Sequence, residues 1–226
     1  MVNARIYVLC PNTAAYDAAC LEYTKPWEIP IILPQTHWLE DIMYVSELMN
    51  RYDEWKDVDY VGCISHTAHT KQPNIHNIDA VMDDGMTKKS EIVAFMGRRV
   101  IDIVVNGEFH HPGFKMAWRA VWKHLDYDPG EMSALCFAFF CNYWCSTPQF
   151  MKEYCQLIAR LDVCLRHSPD LKRLVWRDAR YRSGSIDRET LRKLFGVPYY
   201  PLLPFIVERM ICAWTTKRAS PISYIY

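Results

Sequence analysis

A chain of 226 residues can bury a substantial core, and with half its residues hydrophobic and 14% aromatic it is not a disordered polymer. Its 26 basic and 26 acidic residues leave no net charge, which excludes a cationic footprint for nucleic acid. The longest apolar run, Ala134 to Phe140 continuing to Trp144, is broken by Asn142 and falls short of the ~20 residues a membrane span requires.

The first strand is expected at Ala4 to Cys10, with Pro11-Asn12-Thr13 ending it and placing polar atoms just past its carboxyl end. Met1 to Arg5 leads straight into that run without a signal-peptide pattern, and the expected location is cytoplasmic. A helix over Tyr16 to Tyr23 precedes a short second strand, Ile29 to Leu33, whose flanking prolines suit a sheet edge. Trp38, Ile42, Val45, Met49 and Tyr52 recur at spacings of three and four, so Trp38 to Trp55 is expected to be an amphipathic helix. Tyr60 to Ile64 is a β-rich apolar pentad without alternation, the pattern of a strand buried on both faces. It runs into Ser65-His66-Thr67, a polar loop.

Ile78 to Met82 reads as a further short strand ending in Asp83-Asp84-Gly85, and Val100 to Val105 as another, turning at Asn106-Gly107. Pro112 to Leu125 should form a helix burying Phe114, Trp118, Val121, Trp122 and Leu125. Ala134 to Trp144 is expected as a late central strand in the same sheet as Tyr60 to Ile64. Thr147 followed by Pro148 starts a helix whose buried face is Phe150, Tyr154, Leu157, Ile158, Leu161 and Leu165. The basic stretch Arg166 to Arg188 reads as a surface loop. Asp187 caps a short helix ending at Gly196, and an extended segment from Pro198 to Pro204 enters a last helix near Phe205, with Glu208-Arg209 in its first turn.

Nine cysteines, an odd number without a C-x-x-C pair, read as reduced core thiols. Cys136, Cys141 and Cys145 leave open a thiol or metal protein. Strands alternating with helices give a single α/β domain over residues 1–226, with a mixed, mostly parallel sheet flanked by helices on both faces. Asn12-Thr13, Ser65-His66-Thr67, Asp83-Asp84 and Asn142 would then gather at strand carboxyl ends, where such sheets bind ligands. No G-x-G-x-x-G follows the first strand, no G-x-x-x-x-G-K-S/T occurs and no G-x-S-x-G elbow is present. Those absences weigh against a dinucleotide oxidoreductase, a P-loop enzyme and a serine hydrolase.

Three segments carry a family resemblance. Tyr44-Val45-Ser46-Glu47-Leu48, Trp55, Asp59-Tyr60-Val61-Gly62 and His66 form the first, and Phe140-Cys141-Asn142-Tyr143-Trp144 with Tyr154-Cys155 the second. Pro204-Phe205-Ile206-Val207-Glu208-Arg209-Met210 is the third. In this order the chain, over roughly residues 5–215, resembles nucleotide-sugar glycosyltransferases of the GT-A type. The likeness is to those that build bacterial capsular polysaccharides and the capsid glycans of large algal DNA viruses (chloroviruses). It departs from them at Thr67-Ala68, where an aromatic and an arginine are usual, and in lacking an aspartate-x-aspartate motif.

The resemblance implies a GT-A-like fold and transfer of a hexose or deoxyhexose from a nucleoside-diphosphate donor, a UDP-sugar by preference, to a hydroxyl of a growing glycan. Glu208 is the implied base, with Asp83 and Asp84 as second choices for it and as ligands for Mn²⁺ or Mg²⁺ if they substitute for the missing motif. Otherwise His66, Lys71 or an arginine of the 166–188 stretch must neutralise the leaving group. Cys10, Asn12, Thr13, Glu47, Ser65, His66, Thr67, Asp79 and Arg209 are expected along the nucleotide sugar, and Asn142 and Tyr143 along the acceptor. The alternative is a nucleotide- or glycan-binding module without turnover.

Overall fold

The computed structural model describes residues 2–33, 47–71, 75, 77–95, 97–133, 135–139, 141, 143–181 and 187–224. The first half comprises β1 (Ala4–Cys10), α1 (Thr13–Glu22), β2 (Glu28–Ile32), α2 (Tyr52–Trp55), β3 (Tyr60–Ser65), α3 (Ala68–Lys71), α4 (Ile78–Lys88) and β4 (Ile92–Ala94). There follow β5 (Gly97–Asp102), α5 (Ile103–His110), α6 (Phe114–His124), β6 (Leu135–Phe139) and β7 (Trp144–Ser146). The remainder is α7 (Pro148–His167), α8 (Pro169–Val175), α9 (Arg188–Phe195), α10 (Leu203–Arg218) and β8 (Ile222–Tyr224).

Among the described residues, six strands form the main sheet in the order β2-β1-β3-β7-β4-β8. Every neighbouring pair is parallel except at β7, which runs against both β3 and β4. The pleat of β1 divides the molecule into two cores. Tyr7 and Leu9 face one, with Val61, Cys63, Ile92 and side chains from α6, α7 and α10. Ala4, Ile6, Val8 and Cys10 face the other, with Tyr60, Ile64, Val93, Cys145, Ala19 of α1, Tyr23 just past it and Met82 of α4. Helices therefore cover both faces of a mixed, mostly parallel sheet, and Tyr60 to Ile64 lies in its interior as expected. None of the helices described is long and apolar enough to cross a membrane.

Local signals explain the helices that were legible. Phe114, Ala117, Trp118, Val121 and Trp122 recur along one face of α6 and are buried. Pro148 occupies the first turn of α7, where its missing N–H costs nothing, although the hydroxyl of Thr147 makes no capping bond. Asp187 Oδ1 accepts from the backbone N–H groups of Glu189 and Thr190 at 2.9 and 3.0 Å, and Gly196 (φ 73°) closes α9 in the left-handed region. Half of the helix expected over Trp38 to Trp55, residues 38–46, falls outside the described residues. Its end is helical at 47–50 and in α2, burying Leu48 and Trp55.

Five expectations are corrected. Ile78 to Met82 is the start of α4, not a strand: Ile78, Met82 and Gly85 are the buried positions, a helical spacing that five residues are too few to reveal. Asp83-Asp84 thus sits in mid-helix and not at a strand end. Val100 to Val105 divides between β5 and α5, because the carboxylate of Asp102 caps the helix through Val104 N and Val105 N, both at 2.9 Å. The apolar run Ala134 to Trp144 is two strands in different sheets. Leu135–Phe139 pairs with β5 in a separate antiparallel ribbon, apolar because α10 packs on it, and β7 alone joins the main sheet. Fourth, the stretch 166–188 is not all loop, since Ser168 caps α8 within it. The last helix begins at Leu203, so Glu208 lies in its second turn.

Candidate functional site

The carboxyl ends of β1 and β3 lie side by side, with Leu9 registered against Ser65. β1 feeds α1, whose N-cap Asn12 accepts Ala15 N on Oδ1 at 2.9 Å, so Asn12 and Thr13 stand exposed at this rim. Next to them His66 N donates to Leu9 O at 3.2 Å, and the hydroxyls of Ser65 and Thr67 are bonded at 3.0 Å. The Tyr23 hydroxyl ties the loop down, donating to His66 O at 3.2 Å and accepting from His69 N at 3.4 Å. Cys10 is buried beneath the rim, and that burial pushes its thiol up to about 11.

Because β7 runs the other way, its beginning lies at the same rim. Tyr143 O accepts Phe95 N at 2.8 Å just past the end of β4. Tyr143 itself is 1% exposed, so its ring belongs to the core. Burial raises its phenol, and although Ser65 tempers the shift, no well-formed hydrogen bond reaches its hydroxyl among the described residues. Asn142 and the side chain of Lys71 lie outside the described residues. Glu47 is half-buried in the 47–50 turn, and its carboxylate meets no described polar partner.

Two residues before Tyr143, Cys141 adopts φ 63° and donates its N–H to Glu208 Oε1 at 2.8 Å. Glu208 Oε2 accepts from Arg209 at 3.0 Å. Arg209 is buried, and two further N–H groups of its guanidinium donate to Phe205 O at 3.1 Å and Asn106 Oδ1 at 3.2 Å. Its desolvation lowers its proton affinity, with Glu208 opposing that shift. The acid–base pair of α10 thus joins the β4 side of the rim and opens on a cavity of about 570 Å³. Phe109, His110, His111, Arg180, Tyr181 and Phe205 are among the other residues of its walls.

The cavity is built by two chain crossings. Residues 177–181 lie against 200–202, with Ala179 N donating to Tyr200 O at 2.9 Å and Leu202 N to Arg177 O at 3.0 Å. Arg180 there has φ 51°, is exposed, and has no carboxylate partner among the described residues. His111, between α5 and α6, is buried with Nδ1 at 3.1 Å from Ala179 O, and its ring stacks on Phe205 at 3.8 Å. Burial first, then Arg209 and His110, lower the His111 proton affinity below its ordinary value of 6.5, against the Ala179 carbonyl. The unfolded chain therefore takes up this proton more readily, so the stabilisation is whole above 6.5 and is lost as pH falls through the lowered value. Melting curves between about pH 7.5 and 5 should fall less steeply in His111→Gln than in the unaltered chain. Equal slopes would show that His111 does not carry this dependence.

The structure gathers Asn12, Thr13, Ser65, His66 and Thr67 at one rim, with Glu208 and Arg209 beside it, whereas Tyr143 brings only its backbone there and buries its ring. It does not bring Asp79, Asp83 and Asp84 there. Asp79 pairs with Lys25, Asp83 faces a different cavity near the start of β1, and Asp84 bonds Lys88 and Ser223 at 2.8 and 3.0 Å. All nine cysteines are free thiols, and Cys136 and Cys145 pack into separate cores, so they cannot share an ion. Sequence reasoning missed His110 and His111. Their signal was the break His110-His111-Pro112-Gly113 between two helices; the sequence reading had placed a strand and turn up to Gly107 and begun a helix at Pro112, leaving the two histidines unassigned.

Fold and cavity together define an α/β protein with a mixed, mostly parallel sheet and a polar cleft beside its carboxyl-end rim. Comparison with protein-family models, curated proteins and solved structures finds no match to this chain.

Proposed function

We infer that the chain is a glycosyltransferase that moves a sugar from a nucleoside diphosphate, a UDP-sugar by preference, to a glycan hydroxyl. The observation that carries this reading is the 570 Å³ cavity itself, whose lining combines a carboxylate, Glu208, with Arg180, His110 and His111. Transfer needs those two kinds of group together. A bond forms between the acceptor oxygen and the anomeric carbon, the bond from that carbon to the diphosphate breaks, and the acceptor proton passes to Glu208. Arg180 offers a planar fork of donors for the departing phosphates, and Arg209 acts as a positioning residue that holds Glu208. Phe109 and Tyr181 supply exposed aromatic surface for the base or the sugar.

Divalent metal does not fit the acids first considered for it. Asp83 and Asp84 are adjacent on α4 and so project about 100° apart, and Asp84 is already bonded to Lys88 and Ser223. Charge neutralisation is therefore assigned to Arg180. UDP-dependent stabilisation should persist in EDTA and in Asp84→Asn; its loss in either would return the metal to the reaction.

A binding module without turnover is the second reading, favoured by one observation: both oxygens of Glu208 already accept hydrogen bonds. Release of nucleoside diphosphate from a panel of UDP-, GDP-, CDP- and dTDP-sugars, with and without sugar acceptors, separates the two. Release above the uncatalysed rate supports the enzyme, and binding without release supports the module.

A further inference from the structure

A second cavity, of about 480 Å³, opens where the 25–27 turn, the start of β1 and the middle of α4 meet. Arg5, at its base, is five residues from Cys10, so this cavity lies about 17 Å of strand rise from the rim. Neither the rim nor the Glu208 cavity uses it. We propose that it is a separate carbohydrate site, taking a neutral pyranose unit of a glycan.

The charges on its walls cancel. Arg5 and Lys25 stand against Asp79 and Asp83, and Lys25 is ion-paired to Asp79. A charged ligand gains nothing from such a wall, whereas a ring of hydroxyls can both donate and accept. Two groups are available to do so. Among the described residues the Arg5 guanidinium hydrogen-bonds only the Ala4 carbonyl, at 3.4 Å, and the Asp83 carboxylate has no hydrogen-bond partner. Trp27 supplies the aromatic surface, half-buried and pinned by the Lys25 ammonium 5.1 Å from its ring centroid. An aromatic face is electron-rich and attracts the C–H-bearing face of a sugar ring, and Ala4 and Met82 provide an apolar floor. The volume lies within the ~300–1,000 Å³ of small-molecule sites. The site stands independently of turnover at Glu208.

The test is saturation-transfer NMR on the full chain with methyl α-glycosides of glucose, galactose, mannose and rhamnose. Glucuronic acid, glucosamine and uridine serve as comparators. At least one neutral glycoside should show transfer, weakened at least tenfold by Asp83→Asn and by Trp27→Leu. Asp83 is exposed, so its variant folds; a melting curve confirms that for both. Silence from all four glycosides would overturn the proposal, as would a signal indifferent to Asp83→Asn. A stronger Asp83-dependent signal from a comparator would also overturn it, with uridine marking a nucleobase pocket instead.

Discussion

Glu208→Gln is expected to slow sugar transfer by about 10²–10⁴-fold per folded molecule, the usual contribution of a positioned general base. A sugar hydroxyl is a poor nucleophile near neutral pH, and the amide cannot take its proton. The same substitution will also cost stability. Arg209 is buried and loses the charge that compensates it, and an amide N–H turned toward its guanidinium sets donor against donor. Rate and melting temperature must therefore be read together, with transfer normalised to folded protein. Donor binding that persists while transfer collapses supports the base. A variant that melts lower yet transfers normally reduces Glu208 to a strut for the Cys141 turn.

Gly62→Ala carries the largest expected effect on stability. A Cβ at this position would stand 2.5 Å from Trp144 O and 2.7 Å from Cys145 Cβ. Both contacts belong to β7, and neither is the tip of a flexible side chain, so the two strands must part. Overpacking of this kind costs roughly 1–3 kcal/mol and can exceed it. The melting temperature should fall, and amide protection should be lost first along β7 and β4. An unchanged melting temperature would mean that β7 does not cross β3 at this residue.

This crossing also shows where the sequence stops being informative. Tyr60 to Ile64 announced a buried strand because both of its faces are covered, but nothing in its pattern singled out Gly62 as the point of close approach. What approaches it could not be read. β7 is only three residues long, and the apolar run before it belongs to another sheet. Periodicity over five residues does not separate a strand from the first turns of α4, which is why Asp83 and Asp84 were expected at the rim. The rim polarity from Asn12, Ser65 and His66 was legible, since it needs only strand ends. The Glu208 cavity was half legible: the 166–188 stretch was named as a source of a neutralising arginine, and Arg180 does reach Glu208's cavity. His111 was not, because it is brought there by the pairing of 177–181 with 200–202, a contact between segments without regular structure.

Thermal stability of the full chain against UDP, GDP, CDP and dTDP, in EDTA, tests most directly whether the Glu208 cavity holds a nucleoside diphosphate. A ligand that binds only the folded state stabilises it by about 2.7 kcal/mol at a hundredfold excess over its dissociation constant. At least one of the four should raise the melting temperature, and Arg180→Ala, an exposed position that should leave the free protein's melting unchanged, should abolish the rise. A flat response to all four diphosphates, or a rise that survives Arg180→Ala undiminished, would contradict the account.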